Sequence, residues 1–120
     1  MKYEHTETDL PLENEYPKLI RDRIPEIIVA NGQNASIQTI TDDDELLAYL
    51  LKKIREEAQE VASSQTDSNL VEEIADLREV IDAILALRGI SIAEVDAVQS
   101  EKRTKRGGFE KRLIMLAKSI

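Results

Sequence analysis

Two acidic clusters written at helical spacing stand near the middle of the chain, Glu56-Glu57-Ala58-Gln59-Glu60 and Glu73-Ile74-Ala75-Asp76. Successive helical residues turn by about 100°, so positions three or four apart share a face. In the segment 70–87, Leu70, Ile74, Leu77, Val80, Ile81, Ile84 and Leu85 form one apolar arc; Glu73 projects from inside it and Asp76 lies at its edge. Glu72, Glu79 and Asp82 fall on the opposite, solvated side. Upstream, Leu46, Leu47, Leu50, Leu51, Ile54, Ala58 and Val61 trace a second apolar face, with Glu57 between Leu46 and Leu50 in angle and Glu56 and Glu60 flanking it. An ionised carboxylate aimed into a core is costly unless it meets a cation or hydrogen-bond donors. The basic residues of these segments, Lys52, Lys53, Arg55 and Arg78, are expected mostly on other faces. Carboxylates converging without any cysteine suit a hard divalent ion, Mg²⁺ where substrate phosphates complete the coordination. A solvated helix face explains Glu56, Glu72 and Glu79 singly just as well; it does not explain Glu73.

These side chains need helices to aim them, and the chain supplies the punctuation. Thr41-Asp42-Asp43-Asp44-Glu45 starts a long helix expected to run to about Ala62, with a cap and acid at the positive end of the dipole. Ser63-Ser64-Gln65-Thr66-Asp67-Ser68-Asn69 reads as a loop. A second helix follows from about Leu70 and stops at Gly89, and Ser91-Ile92-Ala93-Glu94 opens a third as a capping box. That helix is expected to reach about Lys105 with Ile92, Val95 and Val98 inward, before Gly107-Gly108 breaks the chain. Ahead of them Pro25 suits the first turn of a short helix that Asn31-Gly32 stops, and 36–40 alternates weakly enough for a brief extended segment. Residues 1–15 are polar and without period, an arm with no assigned chemistry; residues 16–120 form a single helical domain.

Composition narrows the class. A chain of 120 residues fits one domain better served by association, and with no tryptophan and one phenylalanine its core is aliphatic. A formal charge of −8 argues against general nucleic-acid binding. The acid is concentrated in 42–82, whereas Lys102, Arg103, Lys105, Arg106, Lys111 and Arg112 make a basic run. That run reads either as a phosphate clamp or as cations at a helix C-terminus. Without cysteine there is no disulfide scaffold or thiolate metal site. No stretch has the length of a membrane span, the first residues are unlike a secretory signal, and a cytoplasmic protein is expected. His5, the lone histidine, belongs to the polar arm.

The Glu56-Glu57-x-x-Glu60 and Glu73-x-x-Asp76 motifs resemble those of the all-α nucleoside triphosphate pyrophosphohydrolases, the MazG-like superfamily. The flanks Tyr16-Pro17-Lys18-Leu19-Ile20-Arg21-Asp22-Arg23-Ile24-Pro25-Glu26-Ile27-Ile28 and Lys102-Arg103-Thr104-Lys105-Arg106-Gly107-Gly108-Phe109-Glu110-Lys111-Arg112 look like those of a small house-cleaning branch that acts on non-canonical nucleotides. The resemblance spans roughly Tyr16 to Leu116. It implies an all-α bundle with a four-helix-type core completed by dimerisation, as a homodimer or a dimer of dimers. It also implies that Glu57, Glu60, Glu73 and Asp76 bind Mg²⁺, for which Mn²⁺ substitutes, and that Glu56 is an outer metal contact or the base for an attacking water. The reaction implied is hydrolysis of a nucleoside triphosphate to the monophosphate and pyrophosphate. Lys18, Arg21, Lys102 and Arg106 are candidates to hold phosphate oxygens. For Lys18 and Arg21 the plainer alternative is surface charge on either side of a Leu19-Ile20 anchor. Two other functions stay open: a phosphoribosyl-ATP pyrophosphohydrolase, and a non-catalytic helical dimerisation or regulatory module.

Overall fold

The architecture follows from two long helices laid side by side. The computed structural model describes residues 16–119, and the arm expected over 1–15 lies outside the described residues. Within them the chain is all-helical: α1 (Ile24–Ala30), α2 (Asp43–Ser63), α3 (Asp67–Arg88) and α4 (Ile92–Arg106), with no strand among the described residues. The segment 36–40 is irregular rather than a strand. A single short alternating run has no partner to complete its backbone hydrogen bonds.

The punctuation works largely as the residue types require. Pro25 occupies the first turn of α1, and Arg23 pairs with Glu26 at its start. Asp42 caps α2 by accepting from the Glu45 N–H at 2.9 Å. Thr66 caps α3 through the Asn69 N–H at 3.1 Å, so this helix begins three residues ahead of Leu70 and the connection shrinks to Ser64-Gln65-Thr66. The polar residues Asp67, Ser68 and Asn69 form a first helical turn instead of a loop. Gly89 ends α3 in the left-handed region at φ 65, while the Ile90 N–H returns to the Leu85 carbonyl at 2.9 Å. Ser91 caps α4 through the Glu94 N–H at 3.1 Å, but the return bond from the Glu94 carboxylate is not made, so the expected capping box is half formed.

Only α2 and α3 pack extensively on one another. Leu50 on α2 and Val80 on α3, 4% and 7% exposed, are the buried apolar residues of the described chain. Two corrections to the sequence reading follow. Ile92, Val95 and Val98 do not point into a core; they are 57%, 37% and 53% exposed on an α4 that packs on neither long helix to any comparable extent. Leu51, Leu70 and Ile74, expected inside, are also exposed, because each long helix carries two apolar stripes and the hairpin covers one of them. The hairpin by itself therefore leaves one apolar stripe on each long helix uncovered. After α4, Phe109 to Arg112 turns, and the segment through Ser119 has no regular structure.

Candidate functional site

The α2–α3 contact has an unusual interior. Besides Leu50 and Val80, the buried residues of the described chain are two carboxylates on α2, Glu56 at 2% and Glu57 at 8% exposure. On α2 the stripe facing α3 steps through Leu46, Leu50, Lys53, Glu57 and Glu60; on α3 it steps through Glu73, Asp76 and Val80. The apolar members of both stripes meet toward the Gly89 end of the hairpin, and the charged members meet toward the Thr66 connection. Helical periodicity thus builds a dry layer that becomes acidic along its length.

Glu57, Glu73 and Asp76 each turn one carboxylate oxygen toward a common point, all three within 4.8 Å of one another. These are three of the four metal-binding residues expected from the sequence. Glu60, the fourth, is half-buried beside Glu73 without joining the trio. The electrostatics record the crowding. Burial raises the Glu57 carboxyl above the ordinary value, with Asp76, Glu73 and Glu56 adding to the rise and Lys53 opposing it. Glu73 is raised by loss of solvation and then by Glu60, Asp76 and Glu72. A divalent cation at their common point would offset the repulsion among these carboxylates.

Glu56 stands behind the trio. Its Oε2 is buried and accepts no hydrogen bond; the nearest cation is the Lys53 ammonium at 3.8 Å, which lies equally far from Glu57. Lys53 is the residue that the sequence reading misplaced. Expected on another face, it sits on the same stripe as Glu57 with its side chain 20% exposed. The signal was present in the spacing, since Lys53 precedes Glu56 by three positions and Glu57 by four, the two separations at which helical side chains meet.

The second cation arrives from outside the hairpin. Arg21, in the segment ahead of α1, donates to Asp76 at 2.7 Å across an exposed edge of the site. This brings one of the expected phosphate-holding residues to the carboxylates. Lys18 lies over the Tyr16 ring, 5.3 Å from its centre. Lys102 and Arg106 are on α4 and form no ion pair with any of the site carboxylates. Arg103 is tied to Glu110 and Lys105 to Glu101. The described chain therefore assembles a three-carboxylate cluster, an orphaned fourth carboxylate and two cations at the rim. The donor set is all oxygen, hard and anionic, which fits Mg²⁺ or Mn²⁺ better than a metal that prefers nitrogen or sulfur. No helix among the described residues is long and apolar enough to cross a membrane.

Comparison with known proteins adds little to this geometry. No protein-family model matches the chain, and no solved structure matches it. A curated protein of Mycolicibacterium smegmatis, described as uncharacterized, is 45% identical over 49 residues. That stretch is 41% of this chain and 49% of the other, so the likeness spans about half the length of this relative.

Proposed function

We propose that the chain is a Mg²⁺-dependent pyrophosphohydrolase of nucleoside triphosphates, acting on non-canonical nucleotides in a house-cleaning role. The observation that carries this reading is the convergence of Glu57, Glu73 and Asp76 within 4.8 Å, with Glu56 buried next to Glu57 on α2. A helix pair held together only for stability has no reason to spend half of its buried positions on acids. The motif resemblance supplies the reaction, hydrolysis between the α and β phosphates.

Bound at the trio, Mg²⁺ would neutralise phosphate charge and lower the pKa of a water. The remaining work falls to the chain. Glu57 and Glu73 present oxygens whose raised pKa a cation would lower, and Asp76 completes the set from the exposed edge. Arg21, already at that edge, exchanges Asp76 for a phosphate oxygen of the substrate. The attacking water's oxygen bonds to the α phosphorus as the bond to the bridging oxygen breaks and pyrophosphate leaves with the electron pair. Glu56, whose Oε2 accepts no hydrogen bond, accepts the water's proton. Lys53, 3.8 Å from both Glu56 and Glu57, offsets part of their negative charge.

The same reading includes a homodimer. Leu47, Leu51, Ile54, Ala58 and Val61 on α2, and Leu70, Ile74, Leu77 and Ile81 on α3, repeat at alternating steps of three and four, the spacing of a helix-packing seam. Two hairpins joined through these stripes make the four-helix core that one chain lacks. In such an assembly Lys102 and Arg106 serve phosphate at a site to which a second copy brings them.

The test is turnover of a panel of canonical and damaged nucleoside triphosphates and phosphoribosyl-ATP, with Mg²⁺ and with chelator, pyrophosphate and orthophosphate being detected separately. Metal-dependent pyrophosphate release is the expected result. One observation favours a non-catalytic regulatory module instead: Arg21 and Lys53 already give the acidic cluster protein cations. Mg²⁺ binding with no turnover of any nucleotide would put that alternative first.

A further inference from the structure

We propose that the C-terminal arm, Phe109 to Leu116, is a clasp that docks on the α2–α3 hairpin of a second copy. This deepens the dimeric reading above and rests on it. Leu113, Ile114, Met115 and Leu116 follow one another without a polar break and are 82%, 81%, 79% and 89% exposed, with Phe109 at 98%. A contiguous apolar patch of this kind on a charged chain is expected to have an occupant.

The exit of the arm is built rather than loose. Gly107, at φ 80, stops α4 while its N–H bonds to the Arg103 carbonyl at 2.8 Å. Arg103 pairs with Glu110, the Arg112 N–H closes a turn onto the Phe109 carbonyl at 3.1 Å, and Arg112 takes φ 58. These contacts direct the arm off the end of a helix about 22 Å long at 1.5 Å per residue, and that helix does not pack extensively on its own hairpin.

Charge identifies the occupant. The apolar run is flanked by Lys111, Arg112 and Lys118, and nothing acidic follows Glu110. Residues 42–82, which make the hairpin, hold thirteen carboxylates against four cations. Beside the helix stripes the same hairpin exposes Val71 at 68%, with Asp67 and Glu72 exposed next to it on α3. An apolar segment with basic flanks and an apolar face with acidic surroundings are complementary, and both are written in one chain. A reciprocal pair of arms adds to the helix stripes toward the roughly 800 Å² per partner that a stable interface buries.

The full chain carrying Leu113→Asp and Leu116→Asp tests this by light scattering over a range of concentrations, beside wild type and Leu51→Asp. Both arm leucines are exposed in the single chain, so helicity by circular dichroism should not change. Wild type is expected to be dimeric, and the arm variant to dissociate at concentrations at least about 100-fold higher, the loss expected when two buried leucines become charged. Wild-type association should also weaken as salt rises. An arm variant that associates as tightly as wild type overturns the clasp, and if Leu51→Asp alone dissociates, the dimeric reading survives without it. A wild type that is monomeric throughout overturns both.

Discussion

Substituting Glu57 by Gln removes one charge from the acidic layer and keeps its shape, and the sign of the effect should depend on metal. An oxygen of Glu57 lies within 4.8 Å of one on Asp76. Two unit charges at that distance repel by about 0.9 kcal/mol in bulk water and by about 3.5 kcal/mol at an effective dielectric near 20. The Asp76 side chain is 44% exposed, which places the pair toward the lower figure. Losing the attraction of Lys53, 3.8 Å away, gives back about 1 kcal/mol on the same scale. What remains is the burial of a charge on a residue only 8% exposed, the leading cause of its raised pKa. In chelator, the variant should therefore be more stable than wild type by about 1 kcal/mol, a rise in Tm of about 4 °C or more for a domain of this size. Excess Mg²⁺ should reverse the order, because wild type gains about 2.7 kcal/mol at a hundredfold excess over Kd whereas the variant keeps two of three ligands. Thermal unfolding with chelator and across a Mg²⁺ titration measures both arms. A variant less stable than wild type in chelator, with an undiminished Mg²⁺ shift, would refute the account of this layer as a strained cation site.

Three further outcomes are expected. Glu57 and Glu73 both hold their protons above the ordinary value of 4.5, so their contribution to stability is complete below that pH and is lost as pH rises through the raised values. The metal-free protein should melt at falling temperature over that window, and saturating Mg²⁺, which binds the deprotonated form, should flatten or invert the slope; identical slopes would count against the site. Leu50→Ala empties a position only 4% exposed in a core with little else and should cost about 2–4 kcal/mol in urea unfolding. Arg21→Ala frees Asp76 from its 2.7 Å partner, so calorimetry should find Mg²⁺ bound as well or better while kcat/KM for a nucleotide substrate falls about 100-fold; weaker metal binding would make Arg21 a support of the cluster instead.

Much of this arrangement is legible in the residues, and what is not has identifiable causes. The helix starts at Asp42 and Ser91 and the stop at Gly89 were readable because each rests on one side chain or one φ angle close in sequence. Thr66 is of the same kind, yet the polar run after it reads as loop, since a first helical turn exposed to water needs no apolar residue. Glu57, Glu73 and Asp76 were found because angular position is local to one helix, and packing α2 on α3 then brought them together. Lys53 is not legible from the apolar arcs alone, because what fixes its place is its spacing of three and four positions from Glu56 and Glu57. The inward assignment of Ile92, Val95 and Val98 failed for a deeper reason. Amphipathic spacing announces that a face is to be covered, and it does not say by which chain.

That distinction bears on what holds this fold together. Leu50 and Val80 are a slender core, and beside them Glu56 and Glu57 are buried at a cost that grows with their charge. Two contributions from outside the chain have the right sign to offset it: a cation at the carboxylates, and apolar cover for the stripes on α2, α3 and the C-terminal arm. They act at different faces of the hairpin, since the carboxylates occupy the contact between α2 and α3 while Leu51, Leu70 and Ile74 are exposed. Each would nevertheless favour the other, because both bind the closed hairpin and neither binds the unfolded chain. On this account metal affinity should rise with protein concentration through the range in which the chain associates, a linkage that a monomeric scaffold with a surface acidic patch would not display.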